Sequence, residues 1–117
     1  MALANGGVAA NGYHLLTNEA VDAIRQPLLS RDFVRHDLVW LSDDYGYGLG
    51  VRVRTEDTDW GLMKGEFGWD GAAGSFWLAD PNRKISLVMG MNILSWDRKY
   101  IGIHMQIVEM IYRELFN

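Results

Sequence analysis

From Tyr45 the chain alternates with a period of two. Tyr47, Leu49, Val51 and Val53 fall on one face of an extended segment, and Gly46, Gly48 and Gly50 share the other with Arg52 and Arg54. The pattern predicts a strand over 45–54 with one core face and one face of bare backbone. A polar stretch, TEDTDWGLMKGE, follows as a loop or hairpin. A second strand is predicted from about Ala72 to Asp80, closed by Asp80-Pro81-Asn82-Arg83, which has the Pro placement of a type I turn. The third strand, 84–94, alternates Ile85, Leu87, Met89, Met91 and Ile93 against Ser86, Val88, Gly90 and Asn92. Its second face is mostly apolar or small, which predicts cover on both sides.

Helical signals bracket these strands. Met1–Gly7 reads as the last turn of a helix closed by Gly6-Gly7. After a turn at Asn11-Gly12, Thr17 stands as an N-cap with Glu19 in the first turn. Val21, Ile24 and Leu28 form an apolar stripe, and Pro27 ends the helix near Gln26. Residues 30–44 have no clear period and read as a loop. The last segment, 101–116, places Ile101, Met105, Val108, Tyr112 and Leu115 on one stripe, with His104 and Ile111 at its edge. Ile103, Ile107 and Met110 fall on a neighbouring arc. A helix this widely apolar needs a sheet beneath it and a second partner beside it. The sum is an α+β fold, an antiparallel three-stranded sheet with flanking helices, in one domain over 1–117.

Composition removes several classes of function. A formal charge of −4, with eleven Lys and Arg scattered among the residues, leaves no basic patch for a phosphate backbone, so no nucleic-acid partner is expected. Without cysteine there is no disulfide or thiolate metal site. His14, His36 and His104 lack ligand spacing, so no metal or other cofactor is expected, and surface or helix-edge positions account for them. No apolar run is long enough to span a membrane. The start lacks the basic and apolar regions of a signal peptide, which favours the cytoplasm. Asp43-Asp44 and Asp57/Asp59 read as solvated loop charges. Gly46–Gly50 continues as a strand instead of opening a helix, which argues against a phosphate loop.

The candidate chemistry lies in Trp69-Asp70-Gly71-Ala72, followed by Ala73 and Gly74. Small residues at a strand start let another backbone pack closely, or leave space for a substrate to reach a main-chain donor. Tyr45, Trp60 and Trp69 are candidates to line a cleft, whereas Trp40, Trp77 and Trp96 are expected in the core. Taken in order, MALANGGVAANGYHLLTNEAVDAIR, YGYGLGVRV and GEFGWDGAAGSFWLADPNRKISLVMGMN resemble the C-terminal third of the beta-lactamase-like serine hydrolases. That superfamily includes class C beta-lactamases, penicillin-binding DD-peptidases and related esterases.

The resemblance carries specific expectations. It implies a partial beta-lactamase-like fold whose third active-site motif, usually Lys-Thr-Gly or His-Thr-Gly, corresponds to Trp69, Asp70 and Gly71 as substrate-binding residues. The backbone N–H of Ala72 would supply half of an oxyanion hole. Esterase-like members often carry Trp-x-Gly, and the missing Lys would leave a substrate carboxylate unheld. Asn92 falls near a cleft Asn of the family, and is equally explained as a strand-end turn residue.

The family's Ser-x-x-Lys nucleophile and Tyr-x-Asn or Tyr-x-Ser base motif are missing here. The serines at 30, 42, 75, 86 and 95 are followed three residues on by Phe33, Tyr45, Leu78, Met89 and Arg98. The expectation is a C-terminal fragment, inactive alone, that walls the cleft of a hydrolase acting on small ester, amide or beta-lactam substrates. The alternative is a non-catalytic folding or interaction module. In either case, helix 101–116 or the edge of strand 84–94 is expected to drive homo-oligomerisation.

Overall fold

The computed structural model describes residues 1–38, 41–94 and 100–116. The burial expected of Trp40 and Trp96 lies outside them, as does the side chain of Ile101. A 3-10 turn over Leu3–Asn5 ends at Gly6, whose φ of 62° gives the expected left-handed cap. The first helix, α1, spans Asn18–Ile24, and the Thr17 hydroxyl accepts the Ala20 N–H at 3.2 Å. Because α1 ends ahead of Pro27, Leu28 lies beyond the helix and is exposed instead of extending the Val21 stripe.

Residues 30–44 are not all loop. Ser30 caps a second helix, α2 (Arg31–Asp37), with Asp32 in its first turn and Arg35 and His36 in its last, each complementing the helix dipole. The helix has little apolar periodicity because a single side chain, Val34, anchors it against Leu41 and Tyr45.

Among the described residues the sheet has five strands, not three. They are β1 (Tyr45–Tyr47), β2 (Arg52–Arg54), β3 (Phe67–Asp70), β4 (Phe76–Asp80) and β5 (Ile85–Met89), antiparallel and in chain order. The strand expected over 45–54 is a hairpin. Gly50 has a φ of 74°, Gly48 N–H donates to the Val51 carbonyl, and Leu49 sits exposed at the tip. Period-two alternation runs through this turn unbroken, which hides it in the sequence. The strand expected from Ala72 likewise divides. Trp69 and Asp70 end β3, residues 71–75 turn, and β4 begins at Phe76. After Met89 the chain leaves the strand and approaches that turn, where the Ile93 N–H donates to the Ala73 carbonyl.

Two cores cover the sheet's two faces. Ala4 and Val21 pack with Val51, Val53, Phe67 and Ala79 on one face. On the other, Val108 and Tyr112 of the third helix, α3 (Tyr100–Phe116), pack with Leu62, Phe76 and Leu78, flanked by Leu87 and Met89. Cover on both sides of the last strand is not complete. Val88 remains 80% exposed because the N-terminal elements cover the other face mainly around Ala79.

Candidate functional site

The β3–β4 register places Trp69 opposite Trp77 and Asp70 opposite Phe76. Beyond that pair, the Gly71 N–H donates to the Ser75 carbonyl at 2.7 Å, and the Gly74 N–H donates to the Gly71 carbonyl at 3.0 Å. A Cβ on Gly71 would meet the Ser75 hydroxyl, which a rotation of that side chain relieves, whereas Gly74 has a φ of 83°, so the turn requires glycine at its far end. Ala72 and Ala73 project between them and are exposed. The four residues Trp69 to Ala72 therefore stand together, with Gly71 and Ala72 in a hairpin turn instead of opening a strand.

All four line a cavity of about 570 Å³ between the sheet and α3. Tyr45 and Trp60 line it as well, as expected of cleft aromatics. The Trp69 ring meets Tyr47 edge-on at 5.6 Å. Trp77 packs edge-on against Phe67, and Asn92 is exposed past the end of β5.

The floor of the cavity holds a group of charges that the alternation did not predict. Arg52 and Arg54 share one face of β2, yet each is only 3% exposed, so this face is far from bare backbone. Arg54 donates to Asp44 at 2.6 Å and to the Tyr45 hydroxyl at 2.8 Å. That hydroxyl donates in turn to buried Glu66 at 3.1 Å. Arg52 lies 3.4 Å from Glu66 and 3.6 Å from Asp70. Its guanidinium is held between the Tyr45 and Phe76 rings, 5.1 and 4.8 Å from their centroids. Asp44 is thus an ion-pair partner as well as a loop charge; Asp43 is exposed and lies 3.4 Å from Arg35, and Asp57 and Asp59 are exposed.

Burial sets the protonation of this group. It pushes the Glu66 carboxyl above the usual carboxylate range even though Arg52 and Arg54 pull it down. The Tyr45 phenol is also pushed up, by burial and then by Glu66. At Asp44 burial acts upward, but the Ser42 hydroxyl bond and Arg54 together hold the carboxyl below its ordinary value. Arg54 keeps its charge more firmly than usual, because Tyr45 and Asp44 outweigh its burial.

His104 is not an edge or surface residue. It is 1% exposed, 3.8 Å from Asp70, tilted against Phe76 and 3.4 Å from the Met91 sulfur. His14 and His36 are exposed. Among the described residues, no three His, Asp or Glu side chains are placed to hold a metal ion, and no helix is long and apolar enough to cross a membrane. Sequence reasoning missed the Arg52–Glu66–Tyr45–Arg54 group. Its one local signal was Arg-Val-Arg, which puts two guanidiniums on the same strand face opposite a core valine.

No family model matches the chain, and no curated protein matches its sequence. Solved structures do match its fold. Simvastatin synthase (LovD) from Aspergillus terreus, unliganded, aligns with a TM-score of 0.75 at 17% identity, over 99% of this chain and 32% of its own. A penicillin-binding protein homolog from Caulobacter crescentus aligns with a TM-score of 0.59 at 32% identity, over 80% of this chain and 24% of its own. The architecture is thus a partial beta-lactamase-like fold, α+β with an antiparallel sheet. In fold the chain is similar to members of the beta-lactamase-like and penicillin-binding-protein superfamily, and it spans about a quarter to a third of the length of the structures it matches.

Proposed function

We propose that this chain is the C-terminal, cleft-wall segment of a beta-lactamase-like serine hydrolase. Trp69, Asp70 and Gly71 face the substrate, and the Ala72 N–H is one oxyanion donor. The observation that carries the reading is the 71–75 turn. It places the small residues Gly71 and Ala72 in the wall of a cavity that Tyr45 and Trp60 also line. A main-chain donor stabilises a developing oxyanion when the carbonyl oxygen comes within about 3 Å, and bulk at 71–74 would hold it off. The Ser-Lys nucleophile pair and the Tyr base come from a segment outside these residues. Esters and amides fit better than beta-lactams, because Trp69-Asp70 offers no cation to a substrate carboxylate.

The test compares two proteins. The 117-residue chain alone is expected to give no fluorophosphonate label and no ester turnover. The same chain joined to a segment carrying Ser-x-x-Lys and the Tyr motif is expected to hydrolyse short p-nitrophenyl esters more efficiently than penicillins. Labelling of Ser75, or of any other serine in this chain, would refute the reading. Preference of the joined protein for penicillins would refute the substrate assignment alone. A second reading, that the chain acts as an interaction module, is supported by the exposed Ile103, Ile107 and Met110 on α3.

A further inference from the structure

We infer that His104 is a positioning residue: it fixes the 71–75 turn, so that the Ala72 N–H keeps the place proposed for an oxyanion donor. As a statement about the reaction this rests on the hydrolase reading; as a statement about the turn it stands on contacts alone.

The turn carries no large side chain. It runs Gly-Ala-Ala-Gly-Ser, closed by the bonds from the Gly71 N–H to the Ser75 carbonyl and from the Gly74 N–H to the Gly71 carbonyl. Ala72 and Ala73 are exposed and offer only methyl groups to pack. An oxyanion donor has to be aimed before the substrate arrives, and a misplacement of about 1 Å costs on the order of a hundredfold in rate. Support for the turn therefore comes chiefly from the segments beside it.

Three segments flank the turn, and His104 touches all three. Asp70 precedes it, with Oδ1 3.8 Å from His104 Nδ1 and Oδ2 3.6 Å from Arg52 Nε. Phe76 follows it, and its ring centroid lies 4.9 Å from that of the imidazole. The third is the segment leaving β5. A Cβ on Gly74 would meet Met91 at 3.3 Å, and the Ile93 N–H donates to the Ala73 carbonyl at 3.0 Å. The Met91 sulfur in turn is 3.4 Å from His104 Nε2. Both ring nitrogens thus face groups at the borders of the turn.

Helix geometry puts the ring there. His104, Val108 and Tyr112 recur at i, i+4 and i+8 and form one buried stripe on α3. Tyr112 donates to Asp80 at one end of β4, and His104 packs on Phe76 at the other, where the turn enters. An apolar side chain at 104 would fill the same space against Phe76. A buried imidazole carries a desolvation cost that calls for polar partners, and here those partners are Asp70 and Met91.

Packing and positioning predict opposite orders for two substitutions. His104→Phe keeps a ring against Phe76 and offers nothing polar to Asp70. His104→Asn gives up the ring and keeps a donor near the place of Nδ1. In the 117-residue chain, amide hydrogen exchange at Gly71 and Gly74 is expected to speed up at least tenfold in His104→Phe while the central β3–β4 amides are unchanged, and to return toward the wild-type rate in His104→Asn. In the protein joined to a Ser-x-x-Lys segment, kcat for a short p-nitrophenyl ester is expected to fall at least tenfold in His104→Phe at unchanged KM, and to recover in part in His104→Asn. If His104→Phe does not fold, His104→Ala takes its place, with the same order expected against His104→Asn. Faster turn exchange in His104→Asn than in His104→Phe would overturn the inference. So would a rise spread evenly over the sheet, unchanged rates at Gly71 and Gly74, or full kcat in His104→Phe of an active joined protein. A joined wild-type protein without esterase activity would refute the hydrolase reading instead, and the exchange rates would then decide whether His104 fixes the turn.

Discussion

Replacing Tyr112 by Phe removes one oxygen from the point where α3 is fastened to the sheet. Tyr112 and Asp80 are both fully buried, and the phenol donates to Asp80 Oδ2 at 2.8 Å. The other carboxylate oxygen, Oδ1, accepts the backbone N–H groups of Asn82 and Arg83 at 2.9 and 3.3 Å. Phe would keep the ring contacts with Trp60 and Phe116, at 5.9 and 5.5 Å between centroids, so packing changes little. The loss is one hydrogen bond to a buried carboxylate, worth about 1.5–3 kcal/mol. With a urea dependence of about 1–3 kcal/mol per molar for a domain of this size, the midpoint should fall by roughly 1 M. Equilibrium urea unfolding by tryptophan fluorescence measures it. Burial and the Asp80 bond push the Tyr112 phenol far up, so the effect should be the same at pH 6 and pH 9. A double-mutant cycle with Asp80→Asn separates the pair from its surroundings. A coupling near zero, or a loss below about 0.5 kcal/mol, would mean that the bond does not fasten the helix.

Three further outcomes follow from the buried charges and the hairpins. Because Glu66 titrates above its unfolded value, its contribution is present below that value and is lost as pH rises through the folded one. Glu66→Gln should therefore flatten a decline in urea midpoint as pH rises above about 4.5; a wild-type midpoint that rises there instead would show Glu66 ionised against Arg52 and Arg54. Asp44 has the opposite sign: its contribution is present above the unfolded value and lost as pH falls through the folded one. Asp44→Asn should lower the midpoint at neutral pH and converge with wild type in acid, and a constant gap down to pH 2 would refute the assignment. A Cβ at Gly68 would collide with the Trp77 carbonyl and crowd the Leu78 backbone, neither of which can step aside, so Gly68→Ala should cost about 3 kcal/mol. An unchanged unfolding midpoint would show that β3 and β4 can separate without cost.

The parts of this fold legible in the sequence are those that local chemistry decides. Thr17 caps α1 through a bond to an amide three residues away, and Gly6 takes the left-handed conformation that few other residues accept. Helix α3 is visible because its stripe recurs over four turns. Helix α2 is not, since a seven-residue helix held by Val34 has no period to detect. The two missed turns were concealed for opposite reasons. At 48–51 the alternation continues across the hairpin, and at 71–75 the small residues that make the turn also read as a strand opening a cleft. The buried charges lie furthest from sequence reasoning, because each is tolerated only through partners distant in the chain. Arg52 is covered by Phe76 and Tyr45 and faces Glu66; Asp70 meets His104, thirty-four positions on, only because α3 crosses the end of β3. Removing one such partner leaves an uncompensated charge, at a cost that often exceeds what the intact pair contributes. The same crossing joins the Trp69–Ala72 segment to the charges on the face of the sheet that α3 covers. Asp70 links the residue before it and the turn after it to Arg52 and His104, so the helix that packs the core also bears on the backbone proposed to hold an oxyanion.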